Sequence, residues 1–373
     1  MCLPYSKHLL PESCEARLDA EFEAAIRRGV FSGASLLVAR DRKVVFESVR
    51  GSVERGGAPV CADVRFDLAS LTKALVTAPL FMRAVEAGSI CLDDSLRRFF
   101  PGRVPEDKRS ITARSLLSHT SGLPAYAPFY LELVKLPPEK RREALASMLL
   151  ETPLENPPGK AANYSDLGFM LLGLILERQT GRRLDFLARE FLFSPLGIDE
   201  LHFRPPTGAA GAFAATQSCP WRKRLLRGEV DDENAWALDG VAGHAGLFGT
   251  ARGVFELLSH LWGIYENDVT SRPSPPISPE TLRLFWTRTG LGDWCLGYDT
   301  PSPEGYCSAG RFFSSNTVGH LGFTGVSFWL DLQNRVLMIL LTNRVHPTRQ
   351  NDEIRQFRPV IHDIVMKALL YGN

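Results

Sequence analysis

The chain has 373 residues, of which 45% are hydrophobic and 23% are charged, and this composition excludes a largely disordered or fibrous protein. Lysine and arginine together number 43, and aspartate and glutamate 42, so the formal net charge is +1. Proteins that bind nucleic acid or anionic membranes carry a clear excess of positive charge. The sequence therefore predicts neither nucleic acid nor a membrane as a partner.

The sequence also bears on the compartment. No apolar run approaches the roughly 18 residues that a membrane-spanning helix requires, and the first residues lack the pattern of a secretory signal. The seven cysteines form no C-x-x-C pair, which argues against a disulfide framework or a zinc ribbon. Unpaired cysteines are typical of a reducing compartment. We therefore expect a cytoplasmic protein, and most simply a monomer.

The two ends of the sequence carry matching patterns. An amphipathic helix over 13–29 precedes one hairpin, and a second hairpin precedes a final helix over roughly 352–371. The four strands of these hairpins are predicted at 34–39, 44–49, 326–332 and 336–341. The simplest packing is one antiparallel sheet built from both termini and flanked by helices, an α+β fold arranged as an α/β sandwich.

Between the hairpins the sequence is mostly helical or irregular. Helices are predicted at 70–87, 112–118, 139–151, 165–180, 184–192 and 251–264. Pro79 is expected to kink the first of them, and the glycines of 240–249 predict a tight turn before the last. We therefore divide the chain into a sheet domain, 1–69 with 312–373, and a mostly helical domain, 70–311, with the active site in the cleft between them.

Several common catalytic signatures are missing. The sequence has no G-x-S-x-G elbow, no P-loop, no dinucleotide-binding glycine pattern and no H-E-x-x-H. None of the eight histidines stands at a ligand spacing from another on one predicted helix. We therefore expect neither a cofactor nor a metal ion.

Ser70 and Lys73 form the first positive signal. Three residues apart on a helix, they lie on one face within side-chain reach. A serine hydroxyl becomes a nucleophile when a neighbour removes its proton, and a lysine can do so when burial lowers the pKa of its ammonium group. The following residues are apolar nearly all round, which predicts such burial. The alternative is a capping serine beside a lysine whose chain merely covers apolar surface.

Two further segments stand where partners of this pair are needed. Tyr164 lies at a predicted loop-to-helix junction, and His320 lies in a glycine-rich stretch, 319–325, that leads into the C-terminal strands. Glycines on an edge strand let a substrate backbone approach closely. Taken singly, each residue has an ordinary alternative, a packed tyrosine ring and a hydrogen-bonded loop histidine.

Together these segments resemble the serine β-lactamase and penicillin-binding protein superfamily, in particular the esterase-like branch of class C β-lactamase-related hydrolases. Residues 70–73 match its S-x-x-K motif, 164–166 stand where it has Y-x-N, and 320–322 where this branch has H-x-G. The stretches 116–124 and 243–251 also match, and the resemblance runs from about residue 15 to residue 370. It implies a β-lactamase/transpeptidase-like fold.

The resemblance also implies a mechanism for this chain. Ser70 attacks a carbonyl to give an acyl-enzyme, while Lys73 and Tyr164 share the transfer of its proton. The backbone N–H groups of Ser70 and Phe323 form the oxyanion hole. His320 lines the strand side of the cleft and helps to orient Tyr164 or a substrate carboxylate. Water then releases the acyl group from a small-molecule acyl substrate.

The resemblance leaves the substrate open among esters, amides, β-lactams and D-alanyl-D-alanine peptides. It implies that Gly322 and Asp166 contact the substrate. The missing export signal and a neutral His320 in place of a motif lysine favour esters over lactams and peptides. Two other kinds of protein stay open: a sensor that is acylated without turnover, and a structural scaffold that nothing acylates.

Asp166 is the clear departure from the family pattern, which has asparagine at this position. An ionised aspartate near Lys73 favours the ammonium form, raises the pKa of the lysine and transfers more of the proton work to Tyr164. The alternative is that Asp166 merely caps the helix predicted at 165–180.

Overall fold

The computed structural model describes residues 10–204, 213–268 and 277–372. Its strands are β1 (Gly33–Arg40), β2 (Lys43–Gly51), β3 (Phe66–Asp67), β4 (His202–Phe203), β5 (Ala215–Cys219), β6 (Arg224–Arg227), β7 (Leu247–Gly249), β8 (Thr317–Leu321), β9 (Ser327–Asp331) and β10 (Val336–Thr342). Its helices are α1 (Glu12–Arg28), α2 (Ala78–Glu86), α3 (Leu96–Phe99), α4 (Ala113–Leu117), α5 (Tyr130–Leu133), α6 (Pro138–Glu151), α7 (Asp166–Thr180), α8 (Leu184–Ala188), α9 (Glu233–Ala237), α10 (Ala251–Tyr265), α11 (Pro279–Phe285) and α12 (Ile354–Tyr371).

The main sheet is antiparallel and draws its strands from both ends of the chain, as the sequence predicts. Its order is β2-β1-β10-β9-β8. The central contact joins the first strand to the last, with Ala34 opposite Thr342 and Arg40 opposite Val336. Both predicted hairpins form, and β8 adds an edge strand in which His320 stands opposite Phe328. The predicted fold class is confirmed.

Each face of this sheet is covered by a different layer. Successive side chains of a strand point to opposite faces, so Leu36 packs with α1 and α12 while Leu37 packs with the helical part of the chain. Because β1 and β10 are covered on both faces, they read as continuous apolar runs rather than as alternating ones. The second layer of helices is what places a cleft along the edge strand β8.

The segment that follows β3 departs from the single helix predicted over 70–87. Residues Lys73–Thr77 form a π-helical turn, and α2 begins at Ala78 with Pro79 in its first turn. Proline has no N–H to donate and fits the first turn of a helix, so it follows the irregular turn without breaking α2. The predicted kink at Pro79 is therefore replaced by a π-turn just before it.

Two features of the fold were not predicted. The strands β3, β7 and β4 form a small antiparallel sheet, and β5 pairs with β6. Strands of two to five residues are too short to show a period of two in the sequence.

Within the described ranges, no helix combines the length and apolar character that crossing a bilayer requires.

The proposed division into a sheet domain and a helical domain stays a prediction. One hydrophobic cluster includes both Phe328 of the sheet and Phe169 of α7, so the core continues across the proposed boundary.

The six cysteines in the described residues are free, and Cys2 lies outside those residues.

Candidate active site

Ser70 lines a cleft of about 880 Å³ and lies in the turn between β3, which ends at Asp67, and the π-helical segment, which begins at Lys73. The backbone of Ala69 has a positive φ of 45°, an uncommon conformation that turns the chain sharply into this segment. The carboxyl group of Asp67 accepts hydrogen bonds from the backbone N–H groups of Ala69 and Asp231, which fixes the turn. Burial, together with the nearby Asp231, raises the pKa of Asp67 to about 7.

Lys73 lies beneath Ser70 and is fully buried. Its Nζ donates to Ser70 Oγ at 2.8 Å, to Asp166 Oδ1 at 2.7 Å and to the backbone oxygen of His244 at 3.2 Å. An ammonium group has three hydrogens, and each of them has an acceptor here. Ser70 and Lys73 are therefore in direct contact, as their spacing predicts.

The pKa of Lys73 does not move in the direction that burial alone predicts. Burial lowers it, but the negative charge of the Asp166 carboxylate, which also accepts a hydrogen bond from Nζ, is the main opposing cause, and the net direction is upward. The expectation of a depressed lysine pKa was wrong for that reason. In the resting site Lys73 is an ammonium ion paired with Asp166.

Asp166 does not cap its helix. The capping residue of α7 is Ser165, whose Oγ accepts a hydrogen bond from the backbone N–H of Gly168. Asp166 is the first helical residue, and its carboxylate points to Lys73. The capping alternative is wrong, and the electrostatic one agrees with the geometry.

Tyr164 leans over the lysine, with its ring centroid 4.9 Å from Lys73 Nζ. The ring is held by His119 at 4.7 Å and by Trp294 at 5.4 Å between centroids. Burial raises the pKa of the phenol, and although Lys73 and Ser70 act in the opposite direction, the net direction is upward. Tyr164 is therefore a neutral phenol in the resting site.

His320 lies on the edge strand β8, buried to 2% exposure. Its Nδ1 lies 2.7 Å from the backbone oxygen of Leu321, which can only accept, so Nδ1 carries the proton. Burial, followed by the charge of Lys73, lowers the pKa of His320 to about 3. The ring is neutral, and its Nε2 has no hydrogen-bond partner among the residues that the structure describes.

A tight turn after β8 carries Gly322 and Phe323 into the cleft. The Gly322 N–H donates to the backbone oxygen of Val326 at 2.8 Å, which closes the turn. The Oγ1 of Thr324 donates to the backbone oxygen of Asp67 at 2.7 Å, so the turn is tied to the strand that precedes Ser70. The segments that carry the two predicted oxyanion donors, Ser70 and Phe323, are thereby joined.

The structure brings the predicted site residues together, while their catalytic roles stay predictions. Ser70, Tyr164, Asp166, His320, Gly322 and Phe323 all line the cleft, with Lys73 beneath it. In the described part of the chain, no three His, Cys, Asp or Glu side chains are grouped as metal ligands.

Sequence reasoning missed two histidines that support the site. His119 Nδ1 accepts the backbone N–H of Ser165 at 3.1 Å, and His244 Nε2 lies 2.9 Å from Asp232 Oδ1. Both histidines belong to stretches that carry the family resemblance, 116–124 and 243–251. That resemblance was the feature of the sequence from which their place at the site could have been predicted.

The chain was compared with known protein families and curated proteins. The family model described as Beta-lactamase matches residues 18–360. A protein of Bacillus subtilis (strain 168) named "N-acetylmuramyl-L-alanine amidase" is 30% identical, over 88% of this chain and 81% of the relative. A protein of Escherichia coli (strain K12) named "Putative D-alanyl-D-alanine carboxypeptidase" is 29% identical, over 85% of this chain and 79% of the relative.

Solved structures agree on the fold. One is described as "EstCE1, a hydrolase with promiscuous acyltransferase activity"; its TM-score is 0.73 at 22% identity, and the match covers 95% of this chain and 99% of the other. A penicillin-binding protein homologue from Caulobacter crescentus has a TM-score of 0.71 at 20% identity, covering 94% of this chain and 97% of the other. At these identities the likeness shows the fold alone.

Proposed function

This chain belongs to the Beta-lactamase family and is a serine hydrolase that acts on an ester, amide or β-lactam carbonyl, and from that premise we propose that its reaction proceeds through an acyl-enzyme on Ser70. The observation that carries the proposal is the contact of Ser70 Oγ with Lys73 Nζ at 2.8 Å on the floor of a cleft. We further propose that the substrate is a small molecule and that esters and open amides are preferred to penicillins.

The proposed steps are conventional for an acyl-enzyme. Ser70 Oγ bonds to the carbonyl carbon as its proton passes to the Lys73–Tyr164 pair, and the carbonyl electrons move onto oxygen. When the tetrahedral intermediate collapses, the bond to the leaving group breaks, and the leaving oxygen or nitrogen takes that proton. Water then adds to the acyl carbon and gives a proton to the same pair. The bond between that carbon and Ser70 Oγ breaks, Oγ takes the proton, and the acid leaves with Ser70 restored.

The protonation states of the resting site set the conditions for the first step. Lys73 is an ammonium and Tyr164 a neutral phenol, so one of them must lose a proton before Ser70 can give one up. The carboxylate of Asp166, 2.7 Å from Lys73 Nζ, opposes loss of the lysine proton. We therefore expect activity to rise with pH above neutrality.

The preference for esters and open amides rests on the charge at the motif position of His320, because arginines such as Arg344 and Arg349 line other parts of the cleft. A penicillin presents a carboxylate, and the family branch with a motif lysine offers it a cation. Here His320 is neutral, and Asp166 adds a carboxylate to the same cleft. Amide cleavage is the second candidate, favoured by the two curated relatives, whose names describe an amidase and a carboxypeptidase.

The test is intact-protein mass spectrometry with three probes: a p-nitrophenyl ester, a penicillin and an acyl-D-alanyl-D-alanine peptide. We expect an adduct on Ser70 with the ester, followed by steady turnover. One turnover and then a stable adduct identifies a sensor, and absence of any adduct on the wild-type protein excludes the proposal. Ser70→Ala is the control, and it should give no adduct with any probe.

Two further properties stay predictions about the whole protein. A cytoplasmic location is checked by cell fractionation, and a monomeric state by sedimentation or light scattering. Neither measurement bears on the proposed chemistry.

A further inference from the structure

Two buried arginines of the C-terminal segment hold the turn that follows β8. Arg358 of α12 is 5% exposed, and its Nη2 donates to the backbone oxygens of Gly322 at 3.1 Å and Val326 at 3.0 Å. Arg344, just after β10, donates from Nε to the backbone oxygen of Phe323 at 2.7 Å. Three carbonyl groups of one short turn are thus bound by guanidinium groups.

One of these carbonyls belongs to the peptide unit that carries the predicted oxyanion donor, the N–H of Phe323. The oxygen of Gly322 and the N–H of Phe323 are the two ends of the same peptide group. A charged donor on the oxygen withdraws electron density from the group and strengthens its N–H as a donor, because hydrogen bonds in a chain polarise one another. The bond from Arg344 falls on the next peptide unit and does not act on this N–H.

We propose that Arg358 is a positioning residue of the oxyanion hole, which orients the Phe323 N–H and strengthens it as a donor to the developing oxyanion. The inference rests on the proposed acyl-enzyme function and on the family resemblance, which implies that this N–H is one of the two oxyanion donors. It assigns to the C-terminal helix a part in transition-state binding.

The surroundings of Arg358 agree with such a role. Among the described residues it forms no ion pair with a carboxylate, and its Nε has no hydrogen-bond partner. Burial is the main cause that lowers its pKa, to about 10, so it stays a cation near neutrality. A buried cation without an acidic partner is costly, and an apolar side chain would fill the same space more cheaply. The hydrogen bond to the Gly322 carbonyl is the role that we assign to this buried cation.

The test compares Arg358→Met with Arg358→Lys and with Arg141→Met. Arg141 also donates to two backbone oxygens, those of Leu136 and Ala237, but lies outside the residues that line the cleft. The readouts are kcat and KM for an ester, and the infrared stretching frequency of the isotope-labelled carbonyl in the Ser70 acyl-enzyme. A weaker oxyanion donor leaves the carbonyl less polarised and moves its stretch to higher frequency.

We expect Arg358→Met to lower kcat by about 10-fold, less than the loss of a whole oxyanion donor, with KM nearly unchanged. The carbonyl stretch should move to higher frequency, Arg358→Lys should restore part of both effects, and Arg141→Met should match wild type. Lower activity with an unmoved carbonyl stretch would overturn the inference and leave Arg358 a structural residue.

Two outcomes separate this inference from the proposed function. If the wild-type protein forms no adduct on Ser70, the proposed function fails and takes the inference with it. If Ser70 is acylated and the carbonyl frequency is the same in wild type and Arg358→Met, only the inference fails. Should Arg358→Met not fold, Arg358→Gln decides, because its amide keeps an N–H donor but removes the charge; a carbonyl frequency equal to that of the wild type would then overturn the inference.

Discussion

At the scale of single residues, the site is dominated by the pair of Lys73 and Asp166. The lysine is fully buried, yet its pKa is raised, because a carboxylate at 2.7 Å outweighs desolvation. The chemistry requires a deprotonated member of the Lys73–Tyr164 pair. The carboxylate of Asp166, which orders the site, therefore also raises the pH at which Lys73 loses its proton.

Asp166→Asn tests this electrostatic role. Removing the charge lowers the pKa of Lys73, so the limb of the kcat/KM profile that rises with pH should move to lower pH. Acylation by a cephalosporin should also improve, because an amide replaces a carboxylate in the cleft. The measurement is a pH–rate profile with one ester and one cephalosporin.

The control for that variant is Asp185→Asn. Asp185 also stands in the first turn of a helix and pairs with an arginine, Arg183, but it does not line the cleft. Its profile should superimpose on that of the wild type. Superimposable profiles for Asp166→Asn and the wild type would show that Asp166 does not control the proton transfer.

Ser70→Ala should abolish covalent labelling and turnover while leaving the thermal midpoint nearly unchanged. Ser70 lines the cleft, so little packing is lost with its hydroxyl. A fluorophosphonate probe and thermal denaturation measure the two properties. A labelled Ser70→Ala protein would place the nucleophile elsewhere.

The residues of the site were accessible from sequence, but their ionisation was not. Spacing paired Ser70 with Lys73, the family resemblance added Tyr164, and the substitution at Asp166 was visible as a departure from the family pattern. The pKa of Lys73 depends on a balance between burial and one short contact, and neither distance nor burial can be computed from spacing.

At the scale of elements, the site depends on a close crossing between α7 and the glycine-rich loop over 240–246. A Cβ added at Gly243 would lie 2.2 Å from the backbone oxygen of Phe169 and 2.9 Å from Gly173. The loop therefore touches the helix backbone to backbone. The next residue, His244, supplies the carbonyl that Lys73 contacts.

Gly243→Ala should lower the free energy of unfolding by about 1–3 kcal/mol, because a rigid backbone contact cannot yield easily. It should also reduce kcat, since moving the loop displaces the carbonyl of His244 from Lys73. Denaturant titration and ester turnover measure the two effects.

Gly168→Ala, within α7 itself, is the matched control. Its Cβ would meet Leu116 at 3.6 Å, an ordinary contact, so stability should not fall. Equal losses from the two substitutions would contradict the close-crossing explanation.

The predictable elements were those with a strong period and a clear end. Helix α1 is capped at its C-terminus by Gly29, which adopts φ 73°, and the terminal hairpins stand out as long apolar strands across polar turns. The π-helical turn Lys73–Thr77 was not predictable, since a run of apolar residues looks the same in an α-helix.

At the scale of the whole molecule, a single side chain joins distant parts of the sheet side. Asn343 is 1% exposed; its Oδ1 accepts from the backbone N–H groups of Ser32 and Gly33, and its Nδ2 donates to the backbone oxygens of Val53 and Ala215. From sequence it is an ordinary asparagine after a strand, because its partners lie far away along the chain.

Asn343→Ala should lower the free energy of unfolding by about 2–4 kcal/mol, because several buried backbone groups lose their partners at once. Asn316, an exposed asparagine, is the control, and Asn316→Ala should change stability by less than about 0.5 kcal/mol. Chemical denaturation of both variants measures the difference. Similar losses of unfolding free energy in the two variants would show that the hydrogen bonds of Asn343 do not stabilise the fold.

The pairing of β1 with β10 has a consequence for biosynthesis. When the β1–β2 hairpin leaves the ribosome, the strand that will cover its inner edge has not yet been translated, since Ala34 pairs with Thr342. A nascent chain must therefore expose an apolar strand edge, whose backbone N–H and C=O groups have no partner strand, through nearly the whole of its synthesis. High contact order of this kind slows folding, so production should benefit from chaperone capacity and low temperature more than from any change in the cleft.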